Sequence, residues 1–280
     1  MSAGVIVDLH THSTCSDGAL PPAELVERAA AAGIALLALT DHDTTAGLAE
    51  AEAAAARLGV AFVPGVEISV AWRHQSIHIL GLWIDPASRA LRDVLVAQAE
   101  RRRVRMQKIC AALTRAGLPG GELLSAVEAN PGVPTRSHLA AALVAGGHVH
   151  RAEDAFRKYL GHGKRAHVAA GWPLIEEAVA AIRAAGGAAC IAHPARYTLS
   201  SGARRQLVSD FAAAGGSALE IVTGANGAQH APANAALAMR FGLSGSLGSD
   251  FHDPQLTWNP LGRLAKLPDG IDPLWRHRNP

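Results

Sequence analysis

Short apolar runs recur along most of the chain, separated by alanine-rich stretches with helical punctuation. Ala3–Val7, Ile34–Thr40, Val60–Val63, Ser76–Trp83, Ala188–Ala192, Ala218–Val222 and Leu243–Leu247 read as seven buried strands. Helices are predicted at about 21–32, 45–58, 174–185, 203–214 and 232–241. The first opens on Pro21-Pro22-Ala23-Glu24, which suits a first turn and its positive dipole end, and Gly33 and Gly59 close the first two. Only a few residues separate Glu67-Ile68-Ser69-Val70 from Ser76–Trp83. That gap is too short for a crossover helix, so a hairpin is expected there.

The rhythm stops between residues 97 and 170, where the pattern predicts only helices, at about 97–116, 122–128, 137–145 and 152–160. An interrupted strand–helix alternation implies an α/β chain built as a closed or nearly closed barrel with a helical insertion. The expected organisation is barrel over 1–96, insertion over 97–170 and barrel again over 171–280. Residues 261–280 are proline-rich and predict no element, and no internal repeat is evident.

Composition narrows the class. The net charge of +2 does not suit a coat for duplex nucleic acid. The three cysteines, Cys15, Cys110 and Cys190, are too few and too far apart for a disulfide framework. No basic leader precedes an apolar stretch, and no apolar run reaches membrane-spanning length. A cytoplasmic protein is the expectation.

Chemistry-bearing residues gather where the strands end. In Asp8-Leu9-His10-Thr11-His12, alternation along an extended backbone puts Asp8, His10 and His12 on one side. Asp41-His42, Glu67, His193 and Asp250-Phe251-His252 also fall at or just beyond strand ends, and the hairpin would return His78 to the same rim. In a strand–helix barrel, chemistry collects at that rim. Imidazoles beside carboxylates suit zinc, manganese or iron. The insertion holds twelve Lys or Arg and five acids, a net +7 against −5 for the remainder. Such a balance suits a phosphorylated substrate. Arg101, Arg102, Arg103, Arg105 and Lys108 are equally readable as a solvated helix face. Arg136 and Lys164, in loops, are the stronger candidates for phosphate contact. His138 and His230 could contact phosphate or protonate a leaving oxygen, or could be capping and surface histidines.

Taken together, Asp8-Leu9-His10-Thr11-His12, Ser16-Asp17-Gly18, Thr40-Asp41-His42-Asp43, Gly65-Val66-Glu67, His78, Ala192-His193-Pro194 and Gly248-Ser249-Asp250-Phe251-His252 resemble the PHP (polymerase and histidinol phosphatase) metal-dependent phosphoesterases. The basic insertion, with Pro134-Thr135-Arg136-Ser137-His138, resembles the TrpH-like subgroup of 3′,5′-nucleoside bisphosphate phosphatases and 5′-to-3′ exoribonucleases. The resemblance implies a distorted seven-stranded barrel and nine ligands for three divalent ions, manganese first, with zinc, iron or magnesium as alternatives. His10, His12, Glu67 and Asp250 would hold one ion. Glu67 would bridge to a second, completed by His78 and His193, and Asp17, His42 and His252 would hold the third. Asp8 and Asp41 would orient histidines from behind.

The expected reaction is hydrolysis of a phosphomonoester by a metal-held hydroxide, with no side chain assigned as nucleophile. The expected substrate is a nucleoside 3′,5′-bisphosphate losing its 3′-phosphate, with Arg136 and Lys164 on the other phosphate. Short RNA digested from its 5′ end is the alternative substrate, and a non-catalytic metal- or nucleotide-binding module the alternative of another class. An amidohydrolase built on a carbamylated lysine needs a lysine at a strand end. None of Lys108, Lys158, Lys164 and Lys266 is predicted at one.

Overall fold

The computed structural model describes residues 5–225, 227–256 and 259–278. It divides into two compact units, Met1–Leu95 with Pro173–Pro280, and Val96–Trp172.

The first unit opens with β1 (Ile6–Asp8), α1 (Pro22–Ala31), β2 (Ile34–Leu39) and α2 (Leu48–Leu58). Residues 3 and 4 of the predicted first strand lie outside the described residues. Gly59 caps α2 in the left-handed conformation, at φ 67°. β3 (Ala61–Trp72) is far longer than the predicted Val60–Val63, because it runs through Pro64-Gly65. Ala61–Pro64 pairs in parallel with β2, and Gly65–Trp72 pairs antiparallel with β4 (Gln75–Leu82). Pro64 therefore sits where the strand changes partner, a place that tolerates a missing N–H. The predicted hairpin is the β3–β4 pair, and it sets Ser69 opposite His78.

α3 (Arg89–Arg115) starts in the first unit and ends in the second. It begins earlier than predicted because Leu91 and Leu95 are buried and extend the apolar side backward. The second unit continues with α4 (Gly120–Glu128), α5 (Arg136–Ala145) and α6 (Ala152–Ala155). The helix expected at 152–160 divides, with Phe156–Leu160 widening into a π turn closed by Gly161 N on Phe156 O at 2.8 Å. This unit has its own apolar core, including Met106, Ile109, Leu113, Leu123, Leu139 and Leu143.

The chain then returns to the first unit through α7 (Ile175–Ala184), β5 (Ala188–Ile191), α8 (Ser201–Ala213), β6 (Ala218–Thr223), α9 (Ala231–Arg240) and β7 (Ser244–Gly248). The seven strands are ordered β1 to β7, all neighbours parallel except β4, which is antiparallel to both β3 and β5. The two edges meet: Leu9 N donates to Leu247 O at 3.1 Å, and Thr11 bridges to Phe251. The result is a nearly closed, distorted seven-stranded barrel. The tail, which predicted no element, packs Ile271 and Leu274 into the core, and Gly245 N donates to Asp272 O at 2.8 Å. Among the described residues, no helix is long and apolar enough to cross a membrane.

Closure brings β7 hard against the end of β1. A β-carbon on Gly248 would stand 2.2 Å from His10 Cβ and 2.9 Å from Glu220 Oε1. Neither atom is the far end of a flexible exposed chain. Gly248→Ala is expected to cost about 1–3 kcal/mol of stability, as overpacking does, and to weaken metal retention by displacing His10. Denaturant melts and metal analysis of the purified variant test both effects.

Candidate metal centre

The centre is built around Glu67, a carboxylate with no exposed surface on the long strand β3. His78 Nδ1 and His193 Nε2 converge on its Oε1, at 3.0 and 2.9 Å. Its Oε2 faces His42 Nδ1 at 2.9 Å, His12 Nε2 at 3.3 Å and His10 Nε2 at 3.4 Å. Asp250 Oδ1 adds a second carboxylate oxygen, 3.3 Å from His10 Nε2 and 3.2 Å from His12 Nε2. Asp17 Oδ1 lies 3.4 Å from His252 Nε2 and 3.8 Å from His42 Nε2. All nine residues expected as ligands thus lie in one cluster. Three subsets place donor atoms within 4.8 Å of one another: His12, Asp17, His42 and His252; His10, His12, Glu67 and Asp250; and His42, Glu67 and His78.

Further bonds aim these side chains. Glu220, fully buried on β6, takes His10 Nδ1 on Oε1 at 3.0 Å and accepts from His193 N and Thr223 Oγ1 on Oε2 at 2.5 and 2.7 Å. With its Nδ1 so engaged, His10 turns Nε2 toward the cluster. Asp41 accepts from Ser13 N, Ser13 Oγ and Ser16 Oγ, and Ser16 Oγ in turn lies 3.4 Å from His12 Nδ1. Asp8 works differently from the expectation. It accepts backbone N–H groups of His10, Ser249 and Gly262, so it holds chain segments, not an imidazole ring. His193 and Asp250 occupy left-handed backbone conformations, φ 32° and 53°, which disfavour any side chain with a β-carbon.

The electrostatics of the protein without ions are frustrated. Burial disfavours a charged His12, yet Asp250 and Glu67 outweigh it and push the ring up to about 10. At His42 burial wins over Glu67 and Asp17 and pushes it down to about 4. Glu67 and Asp250 stay well below the usual carboxylate range, because surrounding charges overcome the burial penalty. His10 Nε2, His12 Nε2, His42 Nδ1, Glu67 Oε2 and Asp17 Oδ1 are buried without a hydrogen-bond partner. Buried polar atoms are rarely left this way. Divalent cations would satisfy all five, and the donor set of imidazoles and carboxylates fits them.

Beside the cluster lies a cavity of about 400 Å³, lined by His193, Asp250 and His252 together with Arg196, His230 and Asn259. His230 is exposed at the start of α9. In the second unit, Arg136 converges with Arg102 and Arg105 around Trp172 and Thr135. Arg102 and Arg105 lie over Trp172, at 5.2 and 5.4 Å, and Arg136 over Phe156 at 5.6 Å. Arg105 donates to Val168 O and Arg136 to Leu160 O, and among the described residues neither pairs with a carboxylate. Burial, with Arg136 and Arg102 alongside, pushes Arg105 down to about 10. Lys164 is exposed and does not line this cluster. His138 caps α5, its Nδ1 accepting from Thr135 N at 3.2 Å.

Sequence reasoning missed Glu220, Arg196 and the convergence of Arg102 and Arg105 with Arg136. The signal for Glu220 was available: a lone acid inside the apolar run Ala218–Val222.

A buried carboxylate shared by five imidazoles at the rim of a seven-stranded barrel is a site fitted to divalent metal ions. The chain belongs to the PHP family: the PHP domain model matches residues 8–170. It is 45% identical to a 3′,5′-nucleoside bisphosphate phosphatase of Chromobacterium violaceum over 96% of this chain and 95% of that protein. It is 43% identical to the 5′-3′ exoribonuclease Rnm of Salmonella typhimurium over 97% and 93%. A Chromobacterium violaceum structure described as an amidohydrolase, with sulfate bound and no metal, superposes with a TM-score of 0.91 at 44% identity, covering 97% and 95%. A proposed metal-dependent phosphoesterase from Bifidobacterium adolescentis superposes at 0.79 with 27% identity, covering 96% and 93%. The protein is a metal-dependent hydrolase of phosphoric esters.

Two outcomes are expected. Glu220→Gln offers His10 an amide where a carboxylate stood, and metal affinity should fall roughly 10–100-fold, as it does when such an outer partner is lost; metal titration of the variant checks this. The second concerns pH. In the protein without ions His12 holds its proton more tightly folded, near 10, than unfolded, near 6.5. Its contribution to stability is present below about pH 6.5 and is lost as pH rises toward 10. Melting temperature of the stripped protein should therefore fall between pH 7 and 9, while the manganese-loaded protein should not follow it. Loading near neutral pH should release protons, read by calorimetry in two buffers of different ionisation enthalpy.

Proposed function

We propose that the chain removes the 3′-phosphate of nucleoside 3′,5′-bisphosphates, giving a nucleoside 5′-monophosphate and inorganic phosphate. The observation that carries this reading is the presence, on one chain, of two chemically different clusters, imidazoles with carboxylates around Glu67 and arginines around Trp172. The cluster around Glu67 offers imidazoles and carboxylates that fit three divalent ions, with manganese the first choice. The second unit offers a separate, largely buried arginine cluster. We assign the reacting phosphate to the first and the phosphate that is not hydrolysed to the second. In that assignment Arg136 keeps the role expected for it, Arg102 and Arg105 join it, His138 contributes by fixing the start of α5, and Lys164 is left outside.

Divalent ions, when bound, would supply Lewis acidity toward the phosphoryl oxygens and a water acidified toward neutrality. In the reaction an oxygen from water bonds to phosphorus, the P–O3′ bond breaks, and the leaving oxygen takes up a proton. The chain's own part is to hold the donors. Glu220 fixes His10, Asp41 fixes His12 through Ser16, and the β3–β4 hairpin sets Glu67 and His78 on diagonal positions, with His78 Nδ1 3.0 Å from Glu67 Oε1. His230 lines the cavity, which supports its expected contact with the substrate.

The relative named as an exoribonuclease supports a second substrate, short RNA with a 5′ end. Base stacking along a strand needs open aromatic faces. Trp172 is 8% exposed beneath Arg102 and Arg105, and Phe156 lies under Arg136. These contacts favour the small nucleotide. Cys15, Cys110 and Cys190 are unpaired, which supports a reducing compartment, the cytoplasm, as its location.

Phosphate release from adenosine 3′,5′-bisphosphate, AMP and a short 5′-phosphorylated RNA, with manganese-loaded protein, tests the assignment. Fast turnover of the bisphosphate with slow AMP turnover is expected. Faster conversion of RNA to mononucleotides would replace it with the exoribonuclease reading. Arg136→Ala should raise KM for the bisphosphate by roughly 10–100-fold, the size of a lost hydrogen bond to a charged group, and change AMP turnover far less.

A further inference from the structure

His193 is followed directly by a short 3-10 turn, Pro194–Arg196, closed by Arg196 N donating to His193 O at 2.9 Å. Arg196 is thereby fixed to a ligand residue on one side. On the other, its Nη1 is bonded to Oδ2 of Asp250. Asp250 divides its two oxygens: Oδ1 faces His10 and His12 in the cluster, and Oδ2 faces Arg196. The Arg196 side chain is 46% exposed and lines the 400 Å³ cavity with His193, Asp250 and His252. Among the described residues Asp250 is the only side-chain partner of the guanidinium. A guanidinium carries five N–H donors in a planar fork, so one bond to Asp250 leaves donors on the cavity side.

We propose that Arg196 is a catalytic residue that grips a non-bridging phosphoryl oxygen from the cavity side while its other edge rests on Asp250. A phosphoryl group at the cluster has three such oxygens, and the cavity that His193, Asp250 and His252 line is lined by Arg196 as well. Arg196 thus offers its remaining donors beside the ligand residues. The fork shape matters, because phosphate oxygens match two parallel N–H bonds. Resting on Asp250 also fixes the guanidinium before substrate arrives, which is the condition for stabilising charge as it develops. The cavity beyond it is large enough to take the organic part of the ester. This inference rests on the phosphoesterase assignment and not on the choice of nucleotide.

The test compares wild type, Arg196→Lys and Arg196→Ala, each loaded with manganese. Three quantities are read: metal content, binding of inorganic phosphate by calorimetry, and kcat on adenosine 3′,5′-bisphosphate and on p-nitrophenyl phosphate. The expected result is unchanged metal content in both variants and inorganic phosphate bound at least tenfold more weakly. The kcat of Arg196→Ala should fall about a hundredfold or more, the usual loss for one preorganised donor. Lysine should recover only a small part, since it lacks the fork. Unchanged phosphate binding in either folded variant would overturn the proposal. So would metal content falling in step with activity, which would make Arg196 a positioning residue acting through Asp250. If Arg196→Ala melts before it can be measured, Arg196→Lys alone decides by its phosphate affinity. Wild type that ignores the bisphosphate but turns over p-nitrophenyl phosphate would remove the nucleotide reading and leave the Arg196 comparison intact.

Discussion

One buried carboxylate governs this molecule. Glu67 has no exposed surface and five imidazoles within 3.4 Å of its oxygens. Placing a charged carboxylate there in the absence of positive partners would cost several kcal/mol. The rings offset that cost only if some carry protons, yet burial penalises each charged ring, as His42 shows by giving up its charge. Cations between the rings and the carboxylates remove the conflict. The protein is thus built for a charge it does not itself contain.

The same bonds that shape the site also close the barrel. Asp8 ties the end of β1 to Ser249 beyond β7, and Glu220 on β6 reaches both His10 and His193. Asp41 gathers the loop at Ser13 and Ser16. Gly248 leaves room for His10 by having no side chain. Loss of one of these groups would be felt in the fold and in the ligand geometry together, so stability and metal affinity are coupled at this rim. The second unit has an apolar core of its own.

Much of this was legible in the chain. The seven strands and the hairpin followed from local pattern and loop length, most candidate ligand residues from their repeated position after apolar runs, and Asp17 with the full set of nine from the resemblance to the PHP family. What escaped was set by distance or by ambiguity. Glu220 meets His10 across 210 positions, and nothing near Glu220 announces the partner. Arg102 and Arg105 are indistinguishable from a solvated helix face until Trp172 and Arg136 are folded against them. Lys164 looked equivalent to Arg136 because both sit in loops, but only Arg136 turns into the cluster. β3 was cut short at Pro64 because a proline argues against a strand interior, whereas here it marks the change of partner. The π turn at Phe156–Leu160 carries the same residue types as an ordinary helix.

The left-handed backbone at His193 and Asp250 has an evolutionary consequence. Glycine would relax both positions, but it would also remove a ligand at each. Chain stability and chemistry therefore pull in opposite directions at these two sites. As long as hydrolysis is under selection, the strained residues persist. A descendant released from that selection would be free to take glycine there, easing the backbone while giving up a ligand at each position.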